Sequence, residues 1–232
     1  MNSFLLQIPL TTDSLSAPVI TEKTLSVIDL ITSGGIGGNL VMGALGVLSI
    51  FAVYILIERF SAIRKASIED DSFLKSIQNF VEEKDIEAAK TLCRNTDSPI
   101  SRMIEKGVNR INKPMTDISA AIENQGKLEV FKMENNLANL ATISGAAPMI
   151  GFLGTVIGMI VAFHEMASAG GNIDVEMLSK GIYTAMTTTV AGLIVGIIAF
   201  IAYNYLVSKV DKVVFMLEAK TTEFLDLLHH NE

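Results

Sequence analysis

Apolar residues follow two patterns along this chain: long uncharged runs, and stripes that recur every third and fourth position among polar residues. The uncharged runs are Ile36 to Ile57, Leu137 to Phe163 and Ile182 to Leu206, and none of them holds Asp, Glu, Lys, Arg or His. Each has at least 22 residues, where about 20 suffice to cross the hydrocarbon of a bilayer. Three segments cannot close a barrel, and lipid leaves no backbone group unpaired, so each run reads as a helix. The fold class that follows is an all-α membrane protein with three transmembrane helices.

The striped pattern fills the stretches between and after the runs. Asp71-Ser72 precedes a helix over Phe73 to Glu83, Asp85 opens one to Arg94, and Ser98-Pro99 starts one to Asn112. Pro114 breaks the series, and Asp117 is placed to cap the next helix. From Asp117 no Pro occurs until Pro148, so 117–163 reads as one helix of 47 residues, about 70 Å long at 1.5 Å per residue. After the third run the apolar positions are Val210, Val213, Val214, Leu217, Phe224, Leu225 and Leu228, with Thr221 in the stripe. The second and third spans thus extend into a helical bundle outside the membrane. A stripe this wide is covered either by further copies of the chain or by its own residues 58–136, and the pattern leaves both open.

At the amino-terminus, Leu25, Ile28 and Leu30-Ile31 form a short amphipathic stretch that reads as a surface helix. Residues 1–30 lack the basic start of a signal peptide, and the run from Ile36 is too long and too far in, so it is expected to be a retained span.

Charge fixes the expected orientation. Arg59, Arg64, Lys65 and Lys75 follow the first span, Lys127 and Lys132 precede the second, and Lys209, Lys212 and Lys220 follow the third. Only Lys23 and Lys180 lie on the opposite side. The positive-inside rule then places the amino-terminus outside and the carboxyl-terminus in the cytoplasm. The expected organisation is an outer segment over 1–35, spans over 36–57, 137–163 and 182–206, a cytoplasmic helical domain over 58–136, an outer loop over 164–181 and a cytoplasmic helix over 207–232. Tyr54, Tyr203, Tyr205 and Tyr183 sit near span ends as interfacial anchors do. The chain has 232 residues, 50% apolar and 19% charged, with a net charge of −7 and a mean hydropathy of +0.44. That acidity gives no reason to expect nucleic-acid binding. The lone Cys93 permits no intrachain disulfide and no cysteine-rich metal site, and reads as a small core residue.

Candidate chemistry lies in what the spans contain instead of charge. The second holds Thr155 among Gly151, Gly154 and Gly158, and the third holds Thr184, Thr187, Thr188 and Thr189 ahead of Gly192 and Gly196. The glycines allow close backbone approach. Thr184 and Thr188 share a face, which Thr155 can meet from the antiparallel neighbour. A hydroxyl-lined passage holds water yet loads no proton near neutral pH, so its titrating group has to come from elsewhere. From the residues alone, a polar pathway and ordinary packing are both open, since a membrane Thr can also bond its own i−4 carbonyl.

Two segments carry a family resemblance. Thr142 to Met159 (TISGAAPMIGFLGTVIGM) resembles the second-span signature of the MotA/TolQ/ExbB proton-channel family. Gly181 to Leu193 (GIYTAMTTTVAGL), running on to Tyr203-Asn204, resembles its third-span signature, and Glu58-Arg59 fits the ExbB/TolQ branch. The resemblance implies a subunit of the bacterial inner membrane with periplasmic outer segments. It implies a homopentamer around single-span partners of ExbD or TolR type, whose membrane Asp carries the proton, with a TonB-like protein as a further partner. By motif position, Thr155 and Thr189 match the family's pore-facing threonines, with Thr188 and Thr184 beside them. Proton flow would then do work on outer-membrane transport or envelope maintenance.

Two positions depart from the family pattern. Thr184 stands where members commonly carry Glu, which removes an acidic group near the outer mouth and leaves H⁺ or Na⁺ open. Ile198 stands where Pro is common. Glu58 and Arg59 read as an interfacial pair, His164 and Glu165 as loop residues and His229-His230 as surface. No nucleophile–base pair, metal cluster or phosphate loop is legible, so no enzyme, cofactor or metal is expected. A membrane scaffold that assembles a partner without conducting is the alternative.

Overall fold

A computed structural model describes residues 35–67, 71–168 and 175–230. The amphipathic stretch at Leu25 to Ile31 lies outside them, as do residues 169–174 of the expected 164–181 loop; that loop is corrected at both ends, where 164–168 and 175–181 are helical. Among the described residues seven helices follow in order: α1 Gly35–Ala66, α2 Asp71–Glu82, α3 Ile86–Asn95, α4 Pro99–Val108, α5 Met115–Glu134, α6 Leu137–Ser168 and α7 Val175–His230. Segments of α1, α6 and α7 are long and apolar enough to cross a membrane. These three spans pack on one another, and α2 to α5 form a bundle around the far half of α7.

Local chemistry sets the short helices. Asp85 caps α3 by accepting from the Ala88 N–H at 3.0 Å. Ser98 and Ser101 form a reciprocal capping box at the start of α4, with Pro99 at its first position. The expected Asp117 cap is corrected: α5 begins at Met115 behind Pro114, with Asp117 inside its first turn. α4 also ends at Val108, short of Asn112, and continues as turns.

The continuous helix expected over 117–163 is broken. α5 stops at Glu134 and α6 starts at Leu137, because Asn135 is extended and Asn136 adopts φ +64°. Asn tolerates this left-handed conformation better than most residues, so no proline is needed. By contrast, α7 runs for 56 residues, about 84 Å, without interruption.

The bundle closes on the α7 stripe. Val210, Val213, Leu217, Phe224 and Leu228 are all buried within this single chain. Gly107 of α4 makes room for them: a Cβ there would lie 2.7 Å from Ile122 Cδ1 and 2.9 Å from Phe224 Cε1. The chain's own helices therefore cover most of the stripe, leaving Val214 and Leu225 partly buried. Cys93 sits in the same core, where burial, followed by the neighbouring Glu105, pushes its thiol up to about 12. It stays protonated and unreactive at neutral pH.

Charged side chains fasten the bundle to the spans. Arg59 of α1 is 8% exposed and donates from Nη1 to the Lys132 carbonyl at 2.9 Å, while pairing with Glu58. That carbonyl is in the last turn of α5, where the Asn135-Asn136 break removes its helical partner. Arg59 thus makes the expected pair with Glu58 and in addition caps α5, a role its sequence position does not signal. One turn back, the Glu129 side chain is 2% exposed and accepts from Arg102 Nη2, Gln125 Nε2 and Lys132 Nζ, each at 2.8 Å. Burial raises the Glu129 pKa, but the Arg102 and Lys132 bonds outweigh it and hold the carboxyl below its ordinary value. Nearby, Phe60 of α1 stacks on Tyr205 of α7, with Lys209 over the Tyr205 ring.

Candidate functional site

The α6–α7 seam is built from residues without side chains to hold the backbones apart. A Cβ on Gly151 would lie 2.7 Å from the Thr188 carbonyl and 3.1 Å from Gly192 Cα. One on Gly192 would lie 2.6 Å from the Ala147 carbonyl. Gly158 faces Ala185, Gly154 faces Thr188, and Gly196 accommodates the Pro148 ring. Partners thus rise along one helix as they fall along the other, the register of an antiparallel pair. The two Gly-x-x-x-Gly motifs do not face each other; the closest glycine contact is Gly151 to Gly192.

This close approach positions the hydroxyls. Thr155 and Thr189 hydrogen-bond to each other across the seam. Thr155 Oγ1 also reaches the Ala185 carbonyl at 3.1 Å, and Thr189 Oγ1 the Gly151 carbonyl at 3.1 Å. Both side chains are partly buried. Thr188 lies deeper, 2% exposed, with Oγ1 at 2.7 Å from the Ala185 carbonyl and 3.2 Å from that of Gly151. It fills the α1 side of the seam, where Gly154 meets both Thr188 and Val41. Thr184, one turn away, lies beside Gly38 of α1, whose added Cβ would touch it at 3.7 Å. The expected meeting of Thr155 with the Thr184–Thr188 face is therefore corrected. Thr155 pairs with Thr189, while Thr184 and Thr188 turn toward α1.

The chemistry of the pair follows from its atoms. Each hydroxyl has one donor and two acceptor lone pairs. In a Thr155–Thr189 pair one proton is shared across the seam and the other goes to a backbone carbonyl. That second proton can swing to an incoming carboxylate, and a free lone pair can accept from a neutral carboxylic acid. The pair therefore solvates a carboxyl in either protonation state without titrating. The apolar runs supply no carboxylate of their own, so any such group comes from another molecule. Phe152, Met186 and Leu193 are exposed side chains near the pair.

Other candidates stay apart from this site. His164 and Glu165 are exposed at the end of α6, and His229 is exposed near the end of α7. Sequence reasoning missed Glu129, whose i+4 and i−3 spacing to Gln125 and Lys132 looks like an ordinary solvated face. It also missed Asn136, signalled only by the Asn-Asn pair.

Residues 95–219 match the MotA/TolQ/ExbB proton channel family, a stretch that includes both seam threonines. A protein of Methanothermobacter thermautotrophicus named as an ExbB homolog is 28% identical over 187 residues. That alignment covers 80% of this chain and 64% of the relative, so this chain spans just under two thirds of its length. The Tol-Pal system protein TolQ of Pseudomonas aeruginosa is 25% identical over 223 residues, covering 91% of this chain and 96% of TolQ. The biopolymer transport protein ExbB of Helicobacter pylori is 40% identical over 79 residues, 34% of this chain and 54% of ExbB.

Proposed function

Since the chain belongs to the MotA/TolQ/ExbB proton channel family, we propose that it is the ring-forming subunit of a proton-driven inner-membrane motor. The observation that carries this reading is the Thr155–Thr189 pair, held across the seam in spans that contain no Asp, Glu, Lys, Arg or His. A single-span partner of ExbD or TolR type brings the aspartate. Five copies of this chain surround the partner helices, with the amino-terminus outside and the bundle in the cytoplasm. The hydroxyls donate to the aspartate when it is charged and accept from it when it is neutral. Neither state is then stranded in lipid, where an unpaired charge is costly. Proton passage turns the partner, and the work goes through a TonB-like or Tol-type protein to outer-membrane transport or envelope maintenance.

The burial of Thr188 and the closure of all three hydroxyls on this chain's own carbonyls favour a second reading, a scaffold that assembles the partner without conducting. Valine substitution separates the two. Interhelical hydrogen bonds in membranes are worth about 0.6 kcal/mol on average, so Thr155→Val or Thr189→Val leaves the fold standing. The expected result is an assembled complex, by co-purification of the partner, with energy-dependent transport or envelope integrity lost. Silence of both substitutions in that assay overturns the channel reading and leaves the scaffold.

A further inference from the structure

Outside the spans, a groove of about 610 Å³ opens between α5 and α7. Its floor is apolar, with Val130, Val214 and Leu217, and Phe131 stands in its wall 72% exposed. Its rim is acidic. Lys127 is paired to Glu123 at 2.7 Å, leaving Glu134 and Glu218, neither of which has an ion-pair partner among the described residues. The Thr221 hydroxyl lines the same groove, buried and without a hydrogen-bond partner.

The groove lies on the same face of α7 as the hydroxyl pair. Val214, Glu218 and Thr221 follow Thr189 by 25, 29 and 32 positions along an unbroken helix. At 3.6 residues per turn these fall within about 40° of seven, eight and nine whole turns. At about 1.5 Å per residue, the groove begins about 38 Å from Thr189. A chain held at the hydroxyl pair would run straight down to it, needing about 11 extended residues or about 25 helical ones.

We propose that this groove receives the cytoplasmic tail of the single-span partner, a basic segment with apolar side chains on one face. The inference rests on the proposed function above and adds a second contact to it. Charge complementarity selects the occupant. Segments that leave a span on the cytoplasmic side are enriched in Lys and Arg, which match Glu134 and Glu218. The apolar floor takes the other face, and the Thr221 hydroxyl bonds the tail's backbone. The partner is then held at two levels, by its aspartate in the membrane and by its tail in the bundle.

The test uses the full-length chain in its native membrane with the partner co-expressed. A photo-crosslinking benzoylphenylalanine replaces Phe131 in the groove or, separately, Leu193 near the hydroxyl pair; both positions are exposed. The expected result is that both probes capture a single-span protein with one membrane aspartate, and that the Phe131 adduct maps to its basic tail. Glu134→Lys with Glu218→Lys lowers the Phe131 yield about five- to tenfold and leaves the Leu193 yield unchanged. The docking proposal is overturned if the groove probe captures only a second copy of this chain, lipid, or nothing while Leu193 still captures the partner. If Leu193 captures no such protein, the proposed function fails and the docking fails with it.

Discussion

Replacing Gly192 by Ala tests the seam on which the hydroxyl pair depends. The new Cβ would sit 2.6 Å from the Ala147 carbonyl oxygen, 2.9 Å from Gly151 Cα and 3.1 Å from Gly151 N. All three neighbours are backbone atoms, so no side chain can swing away. Restoring an ordinary contact of about 3.4 Å requires α6 and α7 to part by about 0.8 Å. Overpacking of this kind costs about 1–3 kcal/mol, and the better helix propensity of Ala returns at most about 1 kcal/mol. Gly145→Ala is the control, because a Cβ there meets nothing within 4 Å. It collects the propensity gain alone, so the two variants should differ by about 1–3 kcal/mol. The same separation would stretch the 3.1 Å bond from Thr189 to the Gly151 carbonyl beyond hydrogen-bonding distance. Unfolding of the detergent-solubilised protein, followed by circular dichroism, reads the first effect, and energy-coupled activity reads the second. Equal stability of Gly192→Ala and Gly145→Ala would refute the close-packed seam.

Three further outcomes are expected. Asn136→Gly should leave stability unchanged or raised, while Asn136→Val, forced to φ +64°, should lower it by about 1–2 kcal/mol in the same unfolding measurement. Arg59→Met should cost about 1–3 kcal/mol by uncapping the Lys132 carbonyl, and should raise amide hydrogen exchange in the last turn of α5 before that of α6. Because the folded Glu129 carboxyl is held below its ordinary 4.5, its stabilisation is complete above about pH 4.5 and is lost as pH falls through the depressed value. Acid titration of unfolding should therefore show a shallower acid limb in Glu129→Gln than in the parent.

Much of this molecule is legible in the sequence, because the decisive signals are local. A run of apolar residues long enough to span a bilayer needs no tertiary information to be read. The caps at Asp85 and Ser98 are similarly set within four residues. What escaped depends on partners far along the chain or on a single dihedral. Glu129 looks solvated until Arg102, 27 residues earlier, is folded onto it. The α5–α6 break turns on one Asn in the left-handed region, with no proline to mark it. The α7 stripe carries apolar periodicity but not the identity of its cover, which α2 to α5 supply. At the site, composition marked the threonines as a group, whereas only the antiparallel register separates the Thr155–Thr189 pair from Thr188 and Thr184 on the α1 side.

The central claim is that the Thr155–Thr189 pair solvates a proton-carrying carboxyl brought by a partner. Its most direct test is proton flux into liposomes that contain the purified complex, driven by a potassium-diffusion potential and read by an internal pH dye. Flux is expected with the parent complex, and little or none with Thr155→Val or Thr189→Val complexes of the same composition. Undiminished flux through both valine complexes would contradict it.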